Sequence, residues 1–68
     1  MTSNALYLCP QVGCTYALEN GVLLYHPINA DGSYEELTSH YAEVEWDELD
    51  ATTEFWAECA LNYLTGES

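Results

Sequence analysis

Two groups of side chains in this 68-residue sequence could do chemistry: the carboxylates, and the thiols together with the imidazoles. The chain has 12 Asp and Glu, 3 Cys and 2 His, and it has no Lys or Arg. Paired carboxylates can serve as general acid and base, and a cysteine beside a histidine can serve as a nucleophile. No motif sets the spacing that either site needs, and no Lys or Arg is present to stabilise a developing anion. The sequence therefore predicts that the protein is not an enzyme.

Zinc is the first metal to consider, because Cys and His are its usual ligands. Cys9 and Cys14 enclose four residues, the upper limit of the usual ligand spacing, and no second paired motif follows. Three cysteines leave one unpaired, and an intracellular protein favours thiols. We therefore expect thiols, with a Cys9–Cys14 disulfide and structural zinc as the alternatives. The candidate zinc ligands are Cys9, Cys14, Cys59, His26 and His40.

Calcium is the second metal to consider, because Asn29-Ala30-Asp31-Gly32 is rich in oxygen ligands. With Gly32 in the sixth place of an EF-hand loop, Pro27 would be first and Thr38 twelfth. Neither residue supplies the carboxylate that these places require, so the segment is predicted to be a turn. We predict no cofactor and no metal.

The absence of Lys and Arg gives the chain a formal net charge of -12. Average composition would give a domain of this length on the order of eight basic residues. Because self-repulsion destabilises a compact fold, a basic partner is the leading explanation for such a charge. Direct binding of nucleic acid or of an anionic membrane is excluded as a function, since both need cationic side chains. With no basic segment at its start and no long apolar run, we expect a complete cytoplasmic protein.

The acids concentrate in the second half of the chain. On an extended strand, residues two apart are separated by about 6.6 Å, so Glu43, Glu45 and Asp47 could imitate successive phosphates. Glu54 and Glu58 would continue the row along a helix face. Trp46 adjoins this row and is either a core residue or an interface anchor. The predicted partner-binding residues are Glu35, Glu36, Glu43, Glu45, Trp46, Asp47, Glu48, Asp50, Glu54 and Glu58.

In its composition and in the segment 35–58, the chain resembles the small acidic DNA-mimic inhibitors of bacteriophages and mobile elements. These proteins block restriction enzymes, CRISPR effectors, uracil-DNA glycosylase, gyrase or nucleoid proteins. The resemblance implies an inhibitor that occludes the DNA-binding surface of a basic host protein, in the cytoplasm of the host cell. The alternatives are an acidic module that binds a basic partner outside any DNA site, and a halophile-adapted domain. Robust folding at roughly 0.1 M salt would count against the halophile reading, because screening would then be unnecessary.

Turn residues predict how the first half of the chain is organised. Asn20-Gly21 is a strong signal for a two-residue hairpin, and Pro10-Gln11-Val12-Gly13 can form the preceding loop. This register aligns Tyr7, Tyr16 and Tyr25 in one row across three strands, and a further turn could add Tyr34. Strands are predicted near 5–9, 14–19, 22–27 and 41–46. In the last one, Ala42, Val44 and Trp46 should face the core, and Tyr41, Glu43 and Glu45 should face solvent.

The last segment, near 48–65, is predicted to be a helix. Asp47 is the expected N-cap and Gly66 the expected stop. The apolar arc of this helix spans roughly 240°, far more than the stripe of a typical surface helix. Its excess could be buried in a homodimer. The fold class is therefore α+β: one domain over 1–68, with an antiparallel meander of three to five strands and a C-terminal helix.

Overall fold

A computed structural model describes residues 5–66 and contains a four-stranded antiparallel sheet followed by one α-helix. Neighbouring strands in the sheet are also neighbours in sequence, so the sheet is a meander. Two 3₁₀ turns, Thr38–His40 and Trp46–Glu48, lie before and after the last strand. The predicted fold class is confirmed. The elements are β1 (Leu6–Cys9), β2 (Cys14–Glu19), β3 (Val22–Pro27), β4 (Ala42–Glu43) and α1 (Ala51–Thr65).

The register of the first three strands is the predicted one. Asn20 and Gly21 have φ angles of 53° and 77°, which a two-residue hairpin of this type requires. Tyr16 pairs with Tyr7 on one side and with Tyr25 on the other. Tyr34 lies outside every strand, so the tyrosine row ends at β3.

The sheet face that carries the tyrosine row packs against α1. The ring centroids of Tyr7 and Tyr63 are 5.2 Å apart, and Tyr16 is 2% exposed. The helix lies over β1 and β2, the two strands with which it shares most contacts. The core on this side consists of Cys9, Cys14, Tyr16, Leu23, Val44, Ala57 and Ala60.

The opposite sheet face is covered by the chain between β3 and β4. The ring of Tyr41 lies 5.3 Å from that of His26, and its hydroxyl donates a hydrogen bond to the carbonyl of Glu35. The Thr38 hydroxyl donates to the Glu19 carboxylate. Burial, and then the nearby Glu35 carboxylate, raise the pKa of Tyr41. Because both faces are covered, Thr15 in the central strand is fully buried.

The strand predicted near 41–46 is longer than the observed one, and the predicted burial is wrong for three of its residues. The strand β4 has two residues, and the chain enters a 3₁₀ turn at Trp46. Val44 is buried as predicted, but Tyr41 is also buried because the second sheet face is covered. Ala42 and Trp46 are exposed, since the helix covers the sheet on the β1 and β2 side.

The predicted start of the helix is also wrong, by three residues. Asp47 and Glu48 belong to the 3₁₀ turn, and Asp50 caps the helix instead. The Asp50 carboxylate accepts a hydrogen bond of 2.8 Å from the backbone N–H of Thr53. The predicted stop at Gly66 is confirmed, because this residue has the left-handed conformation with φ 85°.

The helix buries a narrower stripe than its apolar arc. Phe55 and Tyr63 are 58% and 62% exposed, whereas Ala57 and Ala60 are fully buried. Exposed aromatic rings on a small domain are available for contact with another chain. The homodimer stays a prediction.

All three cysteines are free thiols, and they differ in exposure. Cys9 and Cys14 are buried opposite each other on β1 and β2, and burial raises the pKa of the Cys14 thiol. We expect iodoacetamide to modify Cys59 at least about tenfold faster than Cys9 and Cys14, because buried thiols react only after local opening. Intact-mass measurement should show one rapid adduct per native chain and three in urea. Rapid modification of Cys9 in the native protein would contradict this packing.

Candidate partner-binding site

The described carboxylates fall into two groups, and the first group holds local structure. Asp31 accepts hydrogen bonds from the N–H and the hydroxyl of Ser33. Glu35 accepts from the N–H of Leu37 with one carboxylate oxygen, and its other carboxylate oxygen lies 3.3 Å from Nδ1 of His40. The hydrogen bonds that Asp31 and Glu35 accept lower the pKa of these two carboxyls. The bond from the Thr53 N–H lowers the pKa of the Asp50 carboxyl in the same way. Glu19 belongs to the same group through its bond from Thr38.

The second group is exposed. Within residues 5–66, none of these carboxylates accepts a hydrogen bond or forms an ion pair, and the chain has no Lys or Arg to provide one. Exposed charges that satisfy nothing inside the protein remain available to a partner. The group consists of Glu36, Glu43, Glu45, Asp47, Glu48, Glu54 and Glu58.

Three members of the second group lie at the second 3₁₀ turn. Glu45, Asp47 and Glu48 line a shallow groove of about 460 Å³ together with Trp46. Trp46 is 37% exposed at this position. An indole between three carboxylates combines an apolar contact with a charged rim, the arrangement from which interface hot spots are built.

The helix places two further carboxylates on the same side of the molecule. Glu54 and Glu58 are one turn apart, and Leu61 extends the same flank. Leu61 lines a cavity of about 190 Å³ together with Trp46 and Glu43, so this flank faces β4. The opposite flank carries Tyr63, which contacts Tyr7 of β1. We define the acidic surface as Glu43, Glu45, Asp47, Glu48, Glu54 and Glu58 around Trp46.

Three predicted site residues lie apart from the acidic surface. Glu35 and Glu36 belong to the segment that covers the second sheet face, and Asp50 is the helix cap. The predicted straight row of carboxylates is also wrong beyond Glu43, because the strand ends there and the chain turns. The carboxylates therefore follow the β4 edge, the 3₁₀ turn and the helix.

Sequence reasoning missed a cleft between the sheet and the second 3₁₀ turn. Its volume is about 370 Å³, and its walls are mainly apolar. The cleft exists because the helix covers β1 and β2 and leaves the β3 side open. Burial, followed by a hydrogen bond with Cys14, strongly raises the pKa of Tyr16, which lines the cleft. The one residue in the sequence that could have indicated this cleft is Tyr25, which lies at the end of the tyrosine row on β3, where the helix does not cover the sheet. The residues that line the cleft include Tyr16, Tyr25, Val44, Glu45, Glu48, Leu49 and Thr53.

Comparison of the chain with protein-family models, curated proteins and solved structures found no match. Among residues 5–66, no helix is long and apolar enough to cross a membrane. In the same part of the chain, no group of three or more His, Cys, Asp or Glu is arranged to hold a metal ion.

The Asp50 cap gives a prediction that separates structural from displayed carboxylates. We expect Asp50→Ala to lower the urea midpoint of unfolding by about 0.5–1 M, whereas Asp50→Asn should leave it nearly unchanged, since Asn also caps helices.

The pKa of Asp50 is lowered in the folded state. Its stabilisation is therefore complete above the ordinary Asp pKa and is lost as the pH falls through the folded value. The difference between wild type and Asp50→Ala should shrink accordingly. An equal loss in Asp50→Asn would contradict the capping role.

Proposed function

We propose that the protein is a DNA-mimic inhibitor that covers the DNA-binding surface of a basic host protein with its acidic surface. The observation that carries this proposal is the set of carboxylates without internal partners around Trp46. Charges that cost folding stability through repulsion and satisfy no group within residues 5–66 are explained by a cationic partner. DNA-binding proteins present such cationic surfaces, because they contact phosphates through Lys and Arg.

The charge density supports mimicry of duplex DNA. The longest dimension of the molecule is 34 Å, over which duplex DNA carries about 20 phosphate charges at roughly 1.7 Å each. The protein carries a formal charge of -12, which is about 60% of that number. The attraction between a cationic DNA-binding groove and this protein would therefore be comparable to the attraction between the groove and DNA.

The mechanism is competitive occlusion. The negative surface accelerates association with a positive groove, and this acceleration falls as salt rises. Trp46 adds an apolar contact that salt does not screen, and this contact slows dissociation. The targets that fit are restriction enzymes, CRISPR effectors, repair glycosylases, gyrase and nucleoid proteins.

One observation favours a second candidate function, an acidic module that binds a basic protein outside any DNA site. The carboxylates bend from the β4 edge through the 3₁₀ turn to the helix, so they do not reproduce the even spacing of phosphates along one strand. A basic protein whose surface is not shaped to bind duplex DNA could bind this arrangement of carboxylates. Competition with DNA separates the two functions.

The test is capture of bacterial proteins on the immobilised chain, followed by elution with a 20-base-pair duplex at constant salt. Under the proposal, the duplex releases the captured proteins, and the soluble chain then displaces labelled DNA from each of them. The matched matrix carries Glu43→Gln, Glu45→Gln and Glu54→Gln, which remove charge without changing side-chain size. This matrix should retain much less protein. Captured proteins that resist saturating duplex and leave only in high salt would support the second function.

A further inference from the structure

We propose that the cleft between the sheet and the second 3₁₀ turn binds an arginine side chain of the partner protein. The inference rests on the proposed function and names the partner group that the site takes. The cleft adjoins the acidic surface and shares Glu45 and Glu48 with it, but its walls are mainly apolar and include residues of the sheet.

The chemistry of the cleft matches both halves of an arginine side chain. Val44 and Leu49 provide apolar wall for the aliphatic stem. Glu45 and Glu48, from the 3₁₀ turn and the residue before it, also line the cleft. A guanidinium can donate to carboxylates through two parallel N–H groups.

Tyrosine rings add a second reason for a guanidinium. Tyr16 and Tyr25 both line the cleft, and Tyr25 is the accessible ring, at 37% exposure. Arginine stacks on aromatic faces and is more weakly hydrated than lysine. A ring partly open to solvent beside two carboxylates is therefore better suited to a guanidinium than to an ammonium group.

Other occupants of the cleft fit less well. An aliphatic side chain would desolvate Glu45 and Glu48 without pairing them, which is unfavourable. A second copy of this chain supplies no Lys or Arg and adds a further formal charge of -12. A DNA-binding partner that contacts phosphates through arginine already carries a guanidinium group on the surface that the proposed function has the acidic surface cover.

The test uses ¹⁵N-labelled protein titrated with Nα-acetylarginine amide at constant ionic strength. We expect saturable shifts at Val44, Leu49 and Thr53, with a Kd of about 1 mM, as ordinary ligand efficiency gives for a molecule of this size. Nα-acetyllysine amide should bind several-fold more weakly, and Nα-acetylleucine amide should produce no saturable shifts. Shifts spread evenly over all exposed acids would overturn the inference, as would equal binding of the three amides.

Two variants that lose the same charge locate the site. Glu48→Gln should weaken arginine amide binding about tenfold, whereas Glu58→Gln, on the helix and outside the cleft, should weaken it less than about twofold. Equal weakening would show that only net charge matters and would overturn the inference. If arginine amide does not bind in the cleft but the DNA duplex elutes the captured proteins, the inference fails and the proposed function stands. If arginine amide binds in the cleft but the duplex elutes nothing, only the proposed function is overturned.

Discussion

Reversing three charges of the acidic surface, by Glu43→Lys, Glu45→Lys and Glu54→Lys, is expected to weaken target binding by about 100-fold. Exposed ion pairs contribute roughly 0.2–1 kcal/mol each, and reversal replaces attraction by repulsion of similar size. Three reversals therefore cost about 3 kcal/mol, and each 1.4 kcal/mol is a factor of ten. Titration of a captured target at fixed salt measures the loss.

The same variant should be at least as stable as the wild type. Each reversal adds two positive charges, so the formal charge changes from -12 to -6. Self-repulsion falls, and none of the three carboxylates has a partner within residues 5–66 to lose. Thermal melting should therefore show an unchanged or higher midpoint. Loss of binding together with unimpaired folding identifies a displayed surface, because structural residues would fail in both measurements.

The control variant reverses three carboxylates outside the acidic surface, namely Glu19, Asp31 and Glu36. These residues carry the same total charge, and they lie in the hairpin and in the segment that covers the second sheet face. We expect less than about tenfold loss of binding, due to the weaker overall field. Melting curves check whether the lost bonds at Glu19 and Asp31 affect folding. Equal losses in the two variants would show that net charge alone determines binding, and unchanged binding in both would contradict mimicry.

Local signals explain why the first half of the fold could be predicted. A two-residue hairpin turn of this type requires positive φ at two consecutive positions, which Asn20 and Gly21 adopt readily, and the turn sets the register of β2 and β3 without any distant contact. The spacing of Tyr7, Tyr16 and Tyr25 then follows from loop lengths. Residues 41–46 lacked such a signal, because alternation predicts burial only when one sheet face is exposed. Here both faces are covered, so Tyr41 is buried as well.

The exposure of the acidic side chains could be predicted from the sequence, but their arrangement in space could not. Charge alone requires Glu45, Glu48, Glu54 and Glu58 to be exposed, and the structure agrees. Their spacing depends on where β4 ends, which in turn depends on the covering of the sheet. Aspartate is favoured at the N-cap, so residue type alone could not show that the helix begins at Asp50 and not at the expected Asp47. The cleft depends on which strands the helix covers, and this is a long-range property that no short motif encodes.

Replacing Trp46 by alanine is expected to weaken target binding by about 30-fold, the loss that corresponds to a hot spot of about 2 kcal/mol. Trp46 lies between Glu45 and Asp47 in the groove and is 37% exposed. A partner that covers the groove would bury the remaining indole surface. Binding kinetics separate this effect from that of charge. Charge reversal should act mainly on the association rate, whereas Trp46→Ala should act mainly on the dissociation rate.

Phe55 provides the matched aromatic control for Trp46. At 58% exposure it presents more of its surface, but its helical position directs it away from both the sheet and the β4 side. Phe55→Ala should therefore change target binding by less than about threefold. Trp46→Leu keeps an apolar side chain near Leu61, so a binding loss in this variant without a lower melting midpoint excludes general unfolding as the cause. If Phe55→Ala weakened binding more than Trp46→Ala, the contact surface would lie on the outer helix face, and Trp46 would be a packing residue.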